Sequence, residues 1–213
     1  MRKNLPITIL LILIGVFLLS GCASISSKSM VGERLNDEMS EKLDGIWECE
    51  GGGIEYAKYL KNGELRLAGV EWEDTGFKFD ETTFNLTKCG ERTFINIPDT
   101  KISENNDSKF RFYCFSFSAD NTLIVWAPHV DVFAKAIDSG EIQGEVKIKT
   151  KKVRPSSETT VDSSEKTTVS KSISAVYIDE SSDALCKFIN EKGLSVLFDV
   201  ENPIIYRRIE KLN

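Results

Sequence analysis

His129 is the only histidine in the chain, and that alone removes several kinds of chemistry. A metal site built on paired histidines is excluded, and a Ser–His–Asp or Cys–His relay would have to turn on this one ring. It sits in "APHVD", behind Pro128 at an expected helix start, where a capping or surface role suits it better than catalysis. The patterns G-x-S-x-G, H-E-x-x-H and G-x-x-x-x-G-K-[ST] do not occur. Gly51, Gly52 and Gly53 lack the lysine and following helix of a phosphate loop, so they read as a turn. Carboxylates can work without histidine: Glu48, Glu50 and Glu55 flank that turn, and Glu71, Glu73 and Asp74 cluster further on. Two carboxylates suffice to hydrolyse a glycosidic bond. Acids alternating with apolar residues are, however, what any half-exposed strand presents. Asp99, Glu104, Asn105, Asn106 and Asp107 offer oxygens to calcium, without the spacing of an EF-hand loop. The expectation is a non-enzymatic protein with no catalytic residue, no metal and no cofactor.

The remaining reactive groups are thiols. Cys49, Cys89, Cys114 and Cys186 contain no C-x-x-C pair, which argues against redox catalysis and a zinc knuckle. In an oxidising compartment these four allow three complete disulfide pairings, and sequence does not choose among them; buried free thiols are the alternative. Cys22 stands apart. It follows an apolar run from Leu5 to Leu19, interrupted by Pro6, Thr8 and Gly15 and preceded by Arg2 and Lys3. A membrane-spanning helix needs about 20 apolar residues; a basic start, a short apolar core and a small-residue ending are the grammar of a secretory signal.

"LLSGC" resembles the lipobox of bacterial lipoproteins. The resemblance implies cleavage before Cys22, a diacylglycerol thioether on its sulfur, and a further acyl chain on its new amino group. One fatty chain binds a bilayer only marginally, so two or three make a stable anchor. Ala23 stands where an inner-membrane retention signal would resemble Asp, which implies an outer-membrane anchor and a periplasm-facing domain. The chain then divides into a signal peptide over 1–21, a lipidated tether over 22–29 containing "SISSKS", and a single β-rich domain over 30–213. Removing Arg2 and Lys3 with the signal takes the formal net charge from −6 to −8. That acidic balance argues against nucleic acid as a partner, and against an electrostatic hold on anionic lipid beside the acyl chains.

The elements that must carry these residues are mostly strands. Met30, Leu35, Met39 and Leu43 recur at helical spacing, predicting a first helix that stops near Gly45. Strands follow at "IWECE", "IEYAKYLK" and "ELRLAGVEW", the last two joined at Asn62-Gly63, a strong hairpin signal. Further strands are expected at "FKF", "TFNLTK", "TFINI", "KFRFYCFSFS" and "TLIVWA". In "FRFYCFSF" phenylalanines fall on both faces, so either a bulge re-aims the strand or protein covers both sides. "DVFAKAIDSGEI" and "DALCKFINEKGL" are alike, with Gly140 and Gly193 closing each. They predict two strand–helix–strand units, by duplication or by the sameness of short amphipathic helices. The segment 154–172 is rich in Ser, Thr and charge and is expected to be a flexible loop. "PIIYRRIEK" reads as a closing strand.

"LDGIWE" is similar to the G-x-W opening of lipocalin-like barrels, with Gly45, Ile46 and Trp47 entering the first strand behind a short helix. In those barrels a basic residue of the last strand packs over the tryptophan, and Arg207 or Arg208 can supply it. The fold class expected is α+β: a mostly antiparallel, strongly curved sheet or partial barrel with about three packed helices. Two functions fit: an envelope lipoprotein with a structural or protein-interaction role and an envelope protein as partner, or a lipocalin-like carrier of small apolar ligands or lipids.

Overall fold

The computed structural model describes residues 23–35, 40–50, 53–60, 62–73, 76–99, 109–153 and 168–209. Cys22 and the signal segment lie outside them. The elements run β1 (Ser24–Ser27), β2 (Glu33–Arg34), α1 (Ser40–Leu43), β3 (Gly45–Cys49), β4 (Ile54–Leu60), β5 (Glu64–Glu73), β6 (Gly76–Cys89) and β7 (Arg92–Pro98). They continue as β8 (Phe110–Phe117), β9 (Leu123–Trp126), α2 (Val130–Asp138), β10 (Gly144–Val153), β11 (Thr168–Ile178), α3 (Ser182–Lys192), α4 (Leu194–Leu197) and β12 (Ile204–Arg208).

Eight strands close an antiparallel barrel. From β3 to β8 each strand pairs with its successor, except that β8 turns to β9, β9 pairs with β12, and β12 returns to β3. The barrel is therefore complete rather than partial. Period-two alternation decides what lines it. In β3, Trp47 and Cys49 are buried while Ile46 and Glu48 face out. The barrel core gathers Leu43, Trp47, Ala57, Tyr59, Leu65, Leu86, Phe115 and Val125.

β8 is the shared wall. Tyr113 and Phe115 join the barrel core, whereas Phe112 and Cys114 join a second core under the helices. Four consecutive buried residues and strict alternation thus coexist without a bulge, because protein covers both faces. On that outer face, Phe110 at the start of β8 pairs with Ser27 of β1; β1 runs parallel to β11, and β11 pairs with β10 at the sheet edge. Phe112, Phe133 and Phe198 pack edge to face at 5.7–6.4 Å. Phe133 of α2, Leu185 and Ile189 of α3 and Leu197 of α4 are fully buried there. The i, i+4 spacing of Leu185 and Ile189 is the apolar stripe that fixes α3 on the sheet.

Several expectations change. "SISSKS" is no tether: Ser24–Ser27 is a strand with Ile25 and Ser27 buried, because β11 and β8 both offer it backbone partners. The first helix does not reach back to Met30, since Gly32 adopts φ +82 and Glu33 and Arg34 pair with β6; Ser40–Leu43 is helical, and residues 36–39 lie outside the described residues. A Cβ on Gly32 would meet the Lys88 carbonyl oxygen at 2.3 Å. "FKF" and "TFNLTK" are one strand of 14 residues. At Asn62-Gly63 only the glycine has positive φ, and Leu60 pairs with Glu64, so the hairpin has three loop residues, not two. "SVLFDV" begins as helix α4 and contributes a lone bridge from Phe198 to Pro128, so the second unit lacks its final strand. The expected loop 154–172 overlaps β11, which starts at Thr168; residues 154–167 lie outside the described residues.

Candidate functional site

The barrel's two ends are built differently. One end is a floor. α1 brings Leu43 under Trp47, whose Nε1–H donates to the Leu43 carbonyl at 2.8 Å. Register pairs Trp47 with Arg208, and the guanidinium sits 5.9 Å from the indole centre, within cation–π range. Arg208 also donates to the Asp44 carbonyl. Gly45, at φ +147, clears room for it: a Cβ there would come within 3.0 Å of Arg208 Nε. Asp44 completes the plug by pairing with Lys58 and accepting the Tyr59 N–H at 2.6 Å. Arg208 is thus the closing residue; Arg207 faces out, 3.9 Å from Glu50.

The other end is a mouth. Its inward residues Leu67, Phe84, Ile95, Ile97, Ile204 and Tyr206 are only partly buried, although they belong to the barrel core. Among them stands a polar group of four side chains brought together from β3, β4, β8 and β12. Burial pushes the Cys49 thiol up to about 11, helped by Glu55 and Glu50. Burial raises the Glu55 carboxyl. The Tyr206 phenol is raised by burial and by its neighbours Glu55, Cys49 and Tyr113. Tyr113 reaches about 12 through burial, with Arg111 pulling the other way. These groups are neutral at pH 7, apart from the Glu55 carboxyl, whose rise favours its neutral form.

Arg111 is the cation among them. It lies two residues before Tyr113 and opposite Ile97, hence on the inward face. Its Nε is buried and has no hydrogen-bond partner, a state that costs free energy until an acceptor arrives. On the adjacent strand β5 Gly69 pairs with Glu55, and a Cβ at Gly69 would meet nothing nearer than Glu55 Cγ at 4.0 Å. Sequence reasoning missed Arg111. Its signal was available: a lone cation inside the most apolar strand of the chain.

The cysteines separate by face. Cys89 at the end of β6 and Cys186 on α3 form a disulfide, with Cα atoms 5.6 Å apart. Cys49 and Cys114 are free and buried, one inside the barrel and one in the helix-side core, so the wall between them forbids a second bridge. Burial raises Cys114 to about 12, so neither is a ready thiolate. Beside the disulfide runs an open groove of about 750 Å³ between β2 and α3, lined by Glu33, Arg34, Lys88, Asp183, Lys187 and Asn190.

The other sequence candidates do not assemble. His129 precedes α2 as its N-cap, and its side chain makes no capping bond. Glu48 and Glu50 are exposed on the outside of β3 while Glu55 points in, so they form no carboxylate pair. Asp74, Glu104, Asn105, Asn106 and Asp107, with the side chains of Glu71 and Glu73, lie outside the described residues. Among the described residues no group of three or more His, Cys, Asp or Glu can hold a metal ion, and no helix is long and apolar enough to cross a membrane. No family model, no curated protein and no solved structure matches the chain.

Proposed function

We propose that this is a lipid-anchored envelope protein whose barrel carries a small apolar ligand with an acidic head group. The observation that carries the reading is the mouth: a partly buried apolar lining near Arg111, whose Nε lacks an acceptor. A guanidinium binds carboxylate or phosphate through paired N–H donors, and a partly dry setting strengthens that bond. The chain of such a ligand rests against Ile95, Ile97 and Leu67. The raised Glu55 carboxyl opposes an anion less than an ordinary one would. The floor at Trp47 and Arg208 keeps the ligand from passing through. The lipobox supplies the anchor, through acyl chains on Cys22 facing the periplasm from the outer membrane.

The test uses the whole mature chain, residues 22–213, with Cys22→Ser. Native mass spectrometry of the purified protein should retain a co-purified lipid or fatty acid. A dansylated undecanoic acid should bind with a fluorescence rise, and Arg111→Gln should weaken it at least about tenfold, the loss typical of a charged hydrogen bond. Equal binding by the variant, or none by either protein, sinks the carrier reading. The anchor is checked separately: the native protein should begin at an acylated Cys22, and one that begins at Met1 refutes it.

A structural or protein-interaction role is the second reading. The open groove beside Cys89–Cys186 favours it, with cations from Arg34, Lys88 and Lys187 facing acids from Glu33 and Asp183. Cross-linking in the native envelope through a photo-reactive residue at Asn190 should then capture one partner protein.

A further inference from the structure

The sheet edge beside the anchor has a charge that the acidic net balance conceals. β1 pairs with β11 only from Ala175 to Ile178, so Ile148–Val153 of β10 and Thr168–Ser174 of β11 run past the first residue of β1 as a two-stranded ribbon. From Val146 to Val153 and from Thr168 to Ser174 the sequence holds five lysines, 147, 149, 151, 152 and 171, and no acid. Val146 and Ile173 pack against the helix-side core, and Ile173 pairs with Ile148; Lys147 and Lys149 therefore alternate onto the opposite face. Both are exposed. Lys109 joins that face, lying 4.3 Å from the Tyr177 ring centre. Glu145, the acid on this side, is set at the far end opposite Tyr177.

Position turns this patch into a membrane argument. Cys22 precedes Ser24 by two residues, and an extended chain gains at most about 3.6 Å per residue. The acylated sulfur is therefore held within roughly 10 Å of the point where β1 begins. The ribbon projects the same way for about 20 Å. A bilayer lying across the strand direction would be pierced by it, so the ribbon must lie along the surface.

We propose that the β10–β11 ribbon is a second membrane contact, its lysine face set on anionic lipid head groups beside the acyl anchor. The inference rests on the lipoprotein reading for its geometry. Lysines near an anionic surface each contribute on the order of 1 kcal/mol, and acyl chain plus basic patch is a recognised two-part anchor. The occupant is a lipid surface because the cations are spread along a strand beside a lipid attachment point, with no pocket to select one small anion.

The experiment is vesicle flotation of the mature chain carrying Cys22→Ser, with near-ultraviolet circular dichroism as the check on folding. It should bind vesicles containing phosphatidylglycerol at low salt, release in half-molar salt, and ignore pure phosphatidylcholine. Gln at 147 and 149 together should lower the partition coefficient about 30-fold, at the roughly fivefold per lysine that such a contribution corresponds to. Arg at the same positions should retain it. Failure of the unaltered ribbon to bind anionic vesicles overturns the proposal. So does a Gln variant that binds as before but self-associates, since lysines then merely guard a sheet edge. The acyl anchor is read on the native protein by mass; loss of that anchor with vesicle binding intact removes the lipoprotein reading and leaves the ribbon as a peripheral contact.

Discussion

Floor and mouth of the barrel both place an arginine among aromatic residues, and they treat it in opposite ways. At the floor, Arg208 covers Trp47 and donates to Asp44, while Trp47 donates to Leu43. At the mouth, Arg111 keeps a buried Nε without an acceptor, near the raised phenol of Tyr113. A satisfied cation stabilises a fold, whereas an unsatisfied one costs about 1–3 kcal/mol or more and persists where it is used. On the carrier reading proposed above, the contrast gives stability to one end and recognition to the other.

Substitutions can break that division. The largest effect is expected at the floor: Trp47→Ala empties a fully packed site and should cost about 3–5 kcal/mol, lowering the melting temperature by roughly 10 °C or more. Arg208→Ala removes the cation–π contact and should cost about 1–2 kcal/mol, read in the same melts. If this variant melted like the parent, the floor would not be the stabilising end.

At the mouth the sign reverses. Arg111→Met removes a buried N–H that lacks an acceptor, so denaturant midpoints should hold or rise while the dansylated acid no longer binds. Glu55 gives the smallest effect and a pH signature. Its folded pKa is raised above 4.5 by burial, so the native state holds a proton that the unfolded chain releases first. Stability should be full below about pH 4 and fall as pH rises through the raised value. Glu55→Gln should remove that fall, matching the parent in acid and melting higher near neutrality. Parallel curves at all pH values would show that the carboxyl is not desolvated.

Much of the floor was legible beforehand. Gly45, Trp47 and a terminal arginine carry a spacing that survives in sequence, because one register pair and one glycine conformation enforce it. The mouth was not legible, since Tyr113 and Tyr206 are far apart in the chain and meet only when β8 and β12 curve into one ring. The helices α2 and α3 were readable from their apolar stripes and closing glycines. β1 was not: four small residues carry no alternation worth the name, and only partners on both sides make them a strand. The lysine ribbon escaped for a related reason. Net charge averages over the whole chain, whereas a sheet edge concentrates one short segment of it.

The bridge from β6 to α3 has a consequence for how the chain matures. Cys89 leaves the ribosome long before Cys186, and both Cys49 and Cys114 are already present while it waits. Any oxidation of Cys89 before Cys186 arrives can therefore only give a wrong pairing, which thiol exchange must undo before α3 can dock. The bridge thus hinges on the last quarter of the chain, and a chain cut short before α3 would keep Cys89 without its correct match.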